Sequence, residues 1–318
     1  MNRICCILIV ILLLHNAKSF SQKNNYPYPL HFFDVPVERT ICKMAFMDIA
    51  PLNPTGKSIV LFHGKNFNGY YWKDIIPVFT GLGFRVIVPD QPGFGESDKP
   101  DLHYSFHQMA MGVKKLLDSL SIDKVCLLGH SMGGMLAVRF ALMYPLHVEK
   151  MILENPIGLE DYKTFVPYKT LDSLYKKERA ATYASYKKYQ QTYYPVWKPE
   201  YEQYVQEQAK VLSKKDFPQI AWINAVTYQM IFEQPVCYEF KNLEVNTLLI
   251  IGTADRTIVG KDALPKSVAD EHGQYQLLGK QTQALIRGSI LQELPGVGHI
   301  PHIQDTAAFV NLVTKFLK

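Results

Sequence analysis

Cysteine is scarce, long apolar runs are nearly absent, and basic residues never cluster, and each shortage removes a class of protein. Of the five cysteines, Cys5 and Cys6 sit in the N-terminal apolar stretch; Cys42, Cys126 and Cys237 remain. An odd set without paired spacing excludes a disulfide scaffold and a structural zinc site, and Cys126 reads as a core-strand residue. The only long apolar run, residues 4–14, is shorter than the ~20 residues that span a bilayer. A multi-pass membrane protein is excluded. Basic residues occur at most as isolated doublets such as Lys176-Lys177 and Lys187-Lys188. These read as solvated helix faces, so nucleic acid is not an expected partner. Glycine and proline number 19 each, and 47% of the 318 residues are hydrophobic against 20% charged. This is the composition of a globular chain with one large domain or two modest ones.

The short apolar run follows Arg3 and precedes Ala17, Ser19 and Ser21, the order of a secretory signal peptide. Residues 1–21 are expected to be removed, with cleavage between Ala17 and Gln22, and the mature chain to be exported to a periplasmic or extracellular space. No stable membrane insertion is expected after cleavage. The cysteines lie too early in the run for a lipidated lipoprotein. Losing Arg3 and Lys18 without any acid lowers the formal charge from +5 to +3.

From residue 22 onward, short β-branched runs alternate with helical periodicity, the pattern of an α/β fold with parallel strands and crossover helices. Runs at 58–62, 85–89, 124–128 and 150–153 read as central strands buried on both faces. Trp72, Ile75, Ile76, Phe79 and Leu82 mark one helical face, and Met109, Val113, Leu116, Leu117 and Leu120 another. Segments 31–41 and 43–49 read as an antiparallel hairpin, with Pro36 placing the first strand at an edge. After Pro156 the strand rhythm stops, and it returns at 247–251, followed by a strand at 289–294 and a final helix that Asp305 can cap. The expected organisation is a core at 22–157, a helical cap inserted at 158–240, and the rest of the core at 241–318.

Gly129-His130-Ser131-Met132-Gly133 lies between the strand ending at Leu128 and a helix beginning near Met132, the setting of a nucleophile elbow. Glycine two residues either side of Ser131 avoids side-chain clashes in so sharp a turn. A serine hydroxyl needs a base, and a histidine held by a carboxylate supplies one at neutral pH. Among the ten histidines, His299 is the first choice, on a glycine-containing loop at a strand's C-terminal end. His302 is the rival base. Asp255, just after the strand at 247–251, is the expected acid and Glu154 its rival. The order Ser131, Asp255, His299 is that of α/β-hydrolases and differs from the two main serine-protease orders. Attack on a carbonyl also requires N–H donors for the oxyanion. Met132 N–H supplies one and Lys65 N–H the other, with Asn66 the alternative, while His63 beside Gly64 is read as a turn-stabilising residue bonded to nearby backbone.

With these residues in place, the sequence resembles the α/β-hydrolase superfamily over residues 30–318, in its capped branch with a serine nucleophile. That branch includes carboxylesterases, perhydrolases and meta-cleavage-product hydrolases. The resemblance rests on His63-Gly64, on Asp90-Gln91-Pro92-Gly93-Phe94-Gly95-Glu96-Ser97, on the elbow around Ser131, and on Asp255 with His299. It implies that the stretch from Asp90 to Ser97 is a structural turn. Relatives that cleave carbon–halogen bonds or epoxides carry an aspartate where this chain has Ser131, which argues against those activities. Proline iminopeptidases carry a Gly-Gly-Pro-Gly run where this chain has Gly64-Lys65-Asn66-Phe67.

The cap segment holds twelve of the 19 tyrosines, with Tyr186, Tyr189 and Tyr193 at helical spacing. Most read as packing and surface residues of the cap, and a covered site favours a small acyl substrate over a polymer. The expected function is hydrolysis of a small carboxylic ester through an acyl-enzyme, with neither metal nor organic cofactor. Carbon–carbon bond hydrolysis, perhydrolysis or acyl transfer on the same residues, and non-catalytic small-molecule binding, are the alternatives.

Overall fold

The computed structural model describes residues 25–318, and the expected signal peptide lies outside them. Eight strands form one sheet: β1 (Leu30–Val37), β2 (Thr40–Ile49), β3 (Ser58–Phe62), β4 (Arg85–Pro89), β5 (Val125–His130), β6 (Val148–Glu154), β7 (Asn246–Gly252) and β8 (Ile290–Leu294). Their order is β1-β2-β4-β3-β5-β6-β7-β8. β1 and β2 pair antiparallel, as do β2 and β4, and every other pair is parallel. The β-branched runs read as central strands therefore occupy the centre, and β3 and β5 are buried at every position.

Helices cover both faces: α1 (Ile76–Gly81), α2 (Phe106–Ser119) and α3 (Met132–Met143) come before the cap. The cap helices, inserted between β6 and β7, are α4 (Leu171–Arg179), α5 (Tyr183–Gln191), α6 (Glu202–Ala209) and α7 (Phe217–Glu233). After them come α8 (Lys266–Glu271), α9 (Tyr275–Leu285), α10 (Pro301–Gln304) and α11 (Thr306–Leu317). Strand alternation decides which helices pack where. Ile59 and Leu61 of β3 join α1 and α11 residues such as Phe79 and Phe309, whereas Val60 and Phe62 join α2 and α3 residues such as Leu116 and Phe140. Asp305 caps α11, its Oδ1 accepting from Ala308 N–H at 3.1 Å.

Two elements differ from the sequence reading. The helix expected across Trp72–Leu82 is a 3₁₀ turn at Gly69–Trp72 followed by the short α1. Pro77 lacks an N–H and fits only in a first helical turn, so the helix starts beside it, although Trp72, Ile75, Ile76 and Phe79 are buried as the periodicity requires. The hairpin turns at Glu38 and Arg39 rather than near Cys42: Val37 pairs with Thr40 and Val35 with Cys42. Cys42 is fully buried, so it continues the inward alternation of β2 and cannot serve as a solvent-facing turn. Pro36 does lie in an edge strand, since β1 pairs only with β2.

Candidate active site

The C-terminal ends of β3, β5, β6, β7 and β8 point the same way, so the loops that follow them converge, as ligand sites in open α/β sheets do. Ser131 follows β5 directly, and its backbone is left-handed at φ 56°, a conformation that costs a non-glycine residue on the order of 1–3 kcal/mol. The flanking glycines permit it by absence of Cβ. A Cβ on Gly129 would lie 2.2 Å from Gly133 O, and one on Gly133 would lie 2.2 Å from Phe62 O. Gly133→Ala is accordingly expected to cost about 1–3 kcal/mol by forced displacement of β3, measured as a lower urea midpoint at unchanged m-value. A midpoint equal to wild type would mean that the elbow relaxes freely.

The structure brings Ser131, His299 and Asp255 together in a hydrogen-bonded chain. Ser131 Oγ is 3.0 Å from His299 Nε2, and His299 Nδ1 is 2.6 Å from Asp255 Oδ2. A carboxylate only accepts, so the imidazole proton sits on Nδ1 and leaves Nε2 as acceptor for the hydroxyl. Ser131 is 6% exposed, Asp255 2% and His299 1%. Burial pushes the Asp255 carboxyl up, but the facing His299 ring and hydrogen bonds from His299, Thr257 and Asn155 outweigh it and hold the group below the ordinary carboxylate range. Asp255 thus remains an anion next to His299, ready to stabilise a positive imidazolium.

Asn155 is a member of this site that the sequence reading passed over. Its Nδ2 donates to Asp255 Oδ2 at 2.9 Å while its Oδ1 accepts from Gly252 N–H at 2.8 Å. One side chain therefore fixes both the acid and the strand end that carries it. The only hint in the sequence was its place beside Glu154 and Pro156 at a strand terminus.

The rivals, His302 and Glu154, lie behind the elbow and bond to each other: His302 Nδ1 is 2.9 Å from Glu154 Oε1 and His302 N–H donates to the same oxygen at 2.7 Å. Among the described residues neither side chain hydrogen-bonds to Ser131 Oγ or His299. His63 is held where a turn-stabilising residue should be. Its Nε2 accepts from Gln91 N–H at 3.1 Å, so its Nδ1–H donates to Gly64 C=O at 2.9 Å. Phe67 N–H donates to the same carbonyl at 3.1 Å. Gly64 C=O and Lys65 N–H share one planar peptide, so these bonds also fix the direction of Lys65 N–H. Among the described residues the Lys65 and Asn66 N–H groups have no hydrogen-bond partner. Met132 N–H, opening α3, has no intrahelical acceptor by position. Asp90 is buried at the end of β4 and accepts from Gly69 N–H at 2.7 Å and Glu96 N–H at 2.9 Å, which closes the turn to Ser97.

From the cap, Tyr193 reaches this cluster. Its carbonyl accepts from His299 N–H at 2.7 Å, its ring stacks on the His299 ring at 4.8 Å, and its hydroxyl accepts from Asn66 Nδ2 at 2.8 Å. It lies beyond the end of α5, so the helical spacing that grouped it with Tyr186 and Tyr189 did not show this contact. Tyr186 is buried, whereas Tyr189 is 45% exposed. A cavity of about 330 Å³ is lined by Lys65, Asn66 and Phe67 of the core and Tyr186, Tyr204 and Asn224 of the cap, but not by Ser131, Asp255 or His299. That is the size of a small-molecule pocket.

Comparison with known proteins agrees with this architecture. A family profile described as alpha/beta hydrolase fold matches residues 57–306. A probable hydrolytic enzyme from Pseudomonas aeruginosa PAO1, known from its crystal structure, is 41% identical and superposes with a TM-score of 0.90. That match covers 92% of this chain and 95% of the other. An esterase from Exiguobacterium antarcticum shares the fold at 20% identity, with a TM-score of 0.66 over 87% of this chain and 96% of its own. Among curated relatives, 2-hydroxy-6-oxo-6-phenylhexa-2,4-dienoate hydrolase from Burkholderia cepacia is 41% identical over 109 residues, 33% of this chain and 38% of that one. The chain spans less than half of the length of the curated relatives it matches, 30–46%.

Proposed function

Since the chain belongs to the alpha/beta-hydrolase family, we propose that it is an exported serine hydrolase cleaving a small carboxylic ester through an acyl-enzyme. The observation that carries this reading is the chain from Ser131 Oγ through His299 to Asp255, at 3.0 and 2.6 Å. Ser131 attacks the carbonyl carbon as its proton passes to His299 Nε2, and Asp255 holds the resulting imidazolium in place. Lys65 and Met132 N–H groups bind the oxyanion, the alcohol leaves with the proton from His299, and water repeats the sequence to release the acid. Every proton is exchanged among the chain's own groups, substrate and water. The helical cap inserted between β6 and β7 favours a small acyl substrate over a polymer. A second reading, hydrolysis of a carbon–carbon bond on the same residues, draws on the partial match to the dienoate hydrolase.

Mass spectrometry of the exported chain after fluorophosphonate treatment tests the proposal. The expected adduct maps to Ser131, disappears in Ser131→Ala and His299→Ala, and sits on a chain that begins between residues 18 and 22. A folded wild-type chain that takes no label overturns the hydrolase reading, and an N-terminus at Met1 overturns export. Esters of increasing acyl size, assayed beside a 2-hydroxy-6-oxo-dienoate, then separate the two chemistries.

A further inference from the structure

His130 precedes Ser131 in the elbow, yet the acyl-transfer scheme gives it no task. It is fully buried, and each of its ring nitrogens meets a group from a different loop. Nε2 is 2.8 Å from His299 C=O, and Nδ1 is 3.2 Å from Tyr71 Oη. Tyr71 Oη also accepts from Gly64 N–H at 3.0 Å. One arrangement of protons satisfies all of these contacts. The carbonyl accepts only, so Nε2 carries the proton, Nδ1 accepts, and Tyr71 O–H donates to it while its oxygen receives Gly64 N–H. The bridge thus runs without a break from the oxyanion loop, through Tyr71 and His130, to the backbone of His299.

Packing makes this bridge stiff. Phe67, from the oxyanion loop, stacks on Tyr71 with centroids 4.7 Å apart and rings within 6° of parallel. A Cβ on Gly64 would lie 3.1 Å from His130 Nδ1 and 3.2 Å from Ser131 Cβ, so this loop rests directly against both residues. Burial first, then the neighbouring His299 and His302 rings, keeps His130 well below the ordinary histidine range. A protonated Nδ1 could only donate to the Tyr71 oxygen, which would leave the phenol hydrogen without its acceptor.

Resting on the serine-hydrolase reading above, we propose that Tyr71 and His130 are positioning residues that set the oxyanion donor at Lys65 and the base at His299 in register across Ser131. Neither touches the reacting atoms. Their effect is on the distance between two groups that act in the same transition state, where a small misplacement costs heavily in rate.

The test compares wild type, Tyr71→Phe, His130→Asn and the double variant with p-nitrophenyl acetate and with a fluorophosphonate, fold being checked by near-ultraviolet circular dichroism. Phenylalanine removes the hydroxyl between Gly64 and His130; asparagine can still face Tyr71 but carries no donor at the Nε2 position. Each single change is expected to lower kcat about tenfold with KM within about twofold, and the double to lose little more than either, because both cut one bridge. A folded single variant with wild-type kcat overturns the proposal, as does a double variant whose loss is the product of the singles. If a variant does not fold, ¹⁵N spectra of the wild-type His130 ring decide: a ring still in the neutral Nε2–H form where an ordinary histidine takes up its proton supports the bridge, and an Nδ1–H form overturns it. A wild-type chain that neither takes the probe nor turns over ester overturns the hydrolase reading itself. Active wild type with equally active folded variants overturns this proposal alone.

Discussion

Alanine at Ser131 or at His299 is expected to lower kcat toward an activated ester about 10⁶-fold, and asparagine at Asp255 about 10⁴-fold. Alanine removes the attacking oxygen or its base outright. Asparagine keeps the shape of Asp255 but reverses a hydrogen-bond direction. Asp255 Oδ2 accepts from both His299 and Asn155, while Oδ1 accepts from Thr257 N–H at 2.8 Å. An amide placed there must aim its NH₂ at a donor whichever way it turns. If the NH₂ faces His299, the imidazole proton moves to Nε2 and Ser131 loses its acceptor. If it faces Thr257, a buried N–H is left unpaired. Steady-state kinetics of the single variants and of Ser131→Ala/Asp255→Asn check the scheme. The double is expected to be no slower than Ser131→Ala alone, because residues acting as a unit are not additive. A Asp255→Asn chain within tenfold of wild type would show that the carboxylate does not hold the base during turnover.

How much of this arrangement was readable beforehand depends on the range of the interactions involved. Ser131, Asp255 and His299 were legible because each sits where a strand pattern ends in a loop with a local chemical signature, and parallel strands in one sheet bring such ends together. The two glycines around Ser131 were legible for the same reason, since the clash they avoid arises within a few residues and against the adjacent strand. Asn155 was not, because what it does is defined by contacts with Gly252 and Asp255, about a hundred residues further along, that no local pattern encodes. Tyr193 falls at helical spacing with Tyr186 and Tyr189 in the sequence, but the helix ends at Gln191 and that grouping does not hold. Its role comes from the chain leaving α5 and turning its carbonyl onto His299 N–H. In the fold, too, buried positions were read better than backbone path. The residues of the expected helix at 72–82 are buried, while Pro77 set where the helix could begin.

The two residues that competed for the acid and base roles provide the last and most severe stability test. Glu154, at the end of β6, is fully buried, accepts both the backbone and ring N–H groups of His302, and belongs to the residue whose carbonyl receives Ser131 N–H at 3.2 Å. His302 stacks on Trp72 at 4.3 Å and meets the edge of Tyr71 at 4.9 Å, so its ring cannot swing away to find another partner. Glu154→Gln replaces an oxygen of this acceptor pair by NH₂ and is expected to cost about 3 kcal/mol, seen as a fall in Tm of about 6–12 °C for a domain of this order of size. Glu154→Met combined with His302→Phe fills the same space with apolar groups and is expected to recover part of that loss. Recovery stops short of wild type because the His302 backbone N–H is then left without its acceptor. Below the lowered Tm, Glu154→Gln is expected to retain kcat within about tenfold, since His299 is held by Asp255. A 10⁴-fold loss of kcat in a folded Glu154→Gln chain would instead make Glu154 the working acid, and a Tm unchanged within 2 °C would remove the pair from the forces that hold the elbow in place.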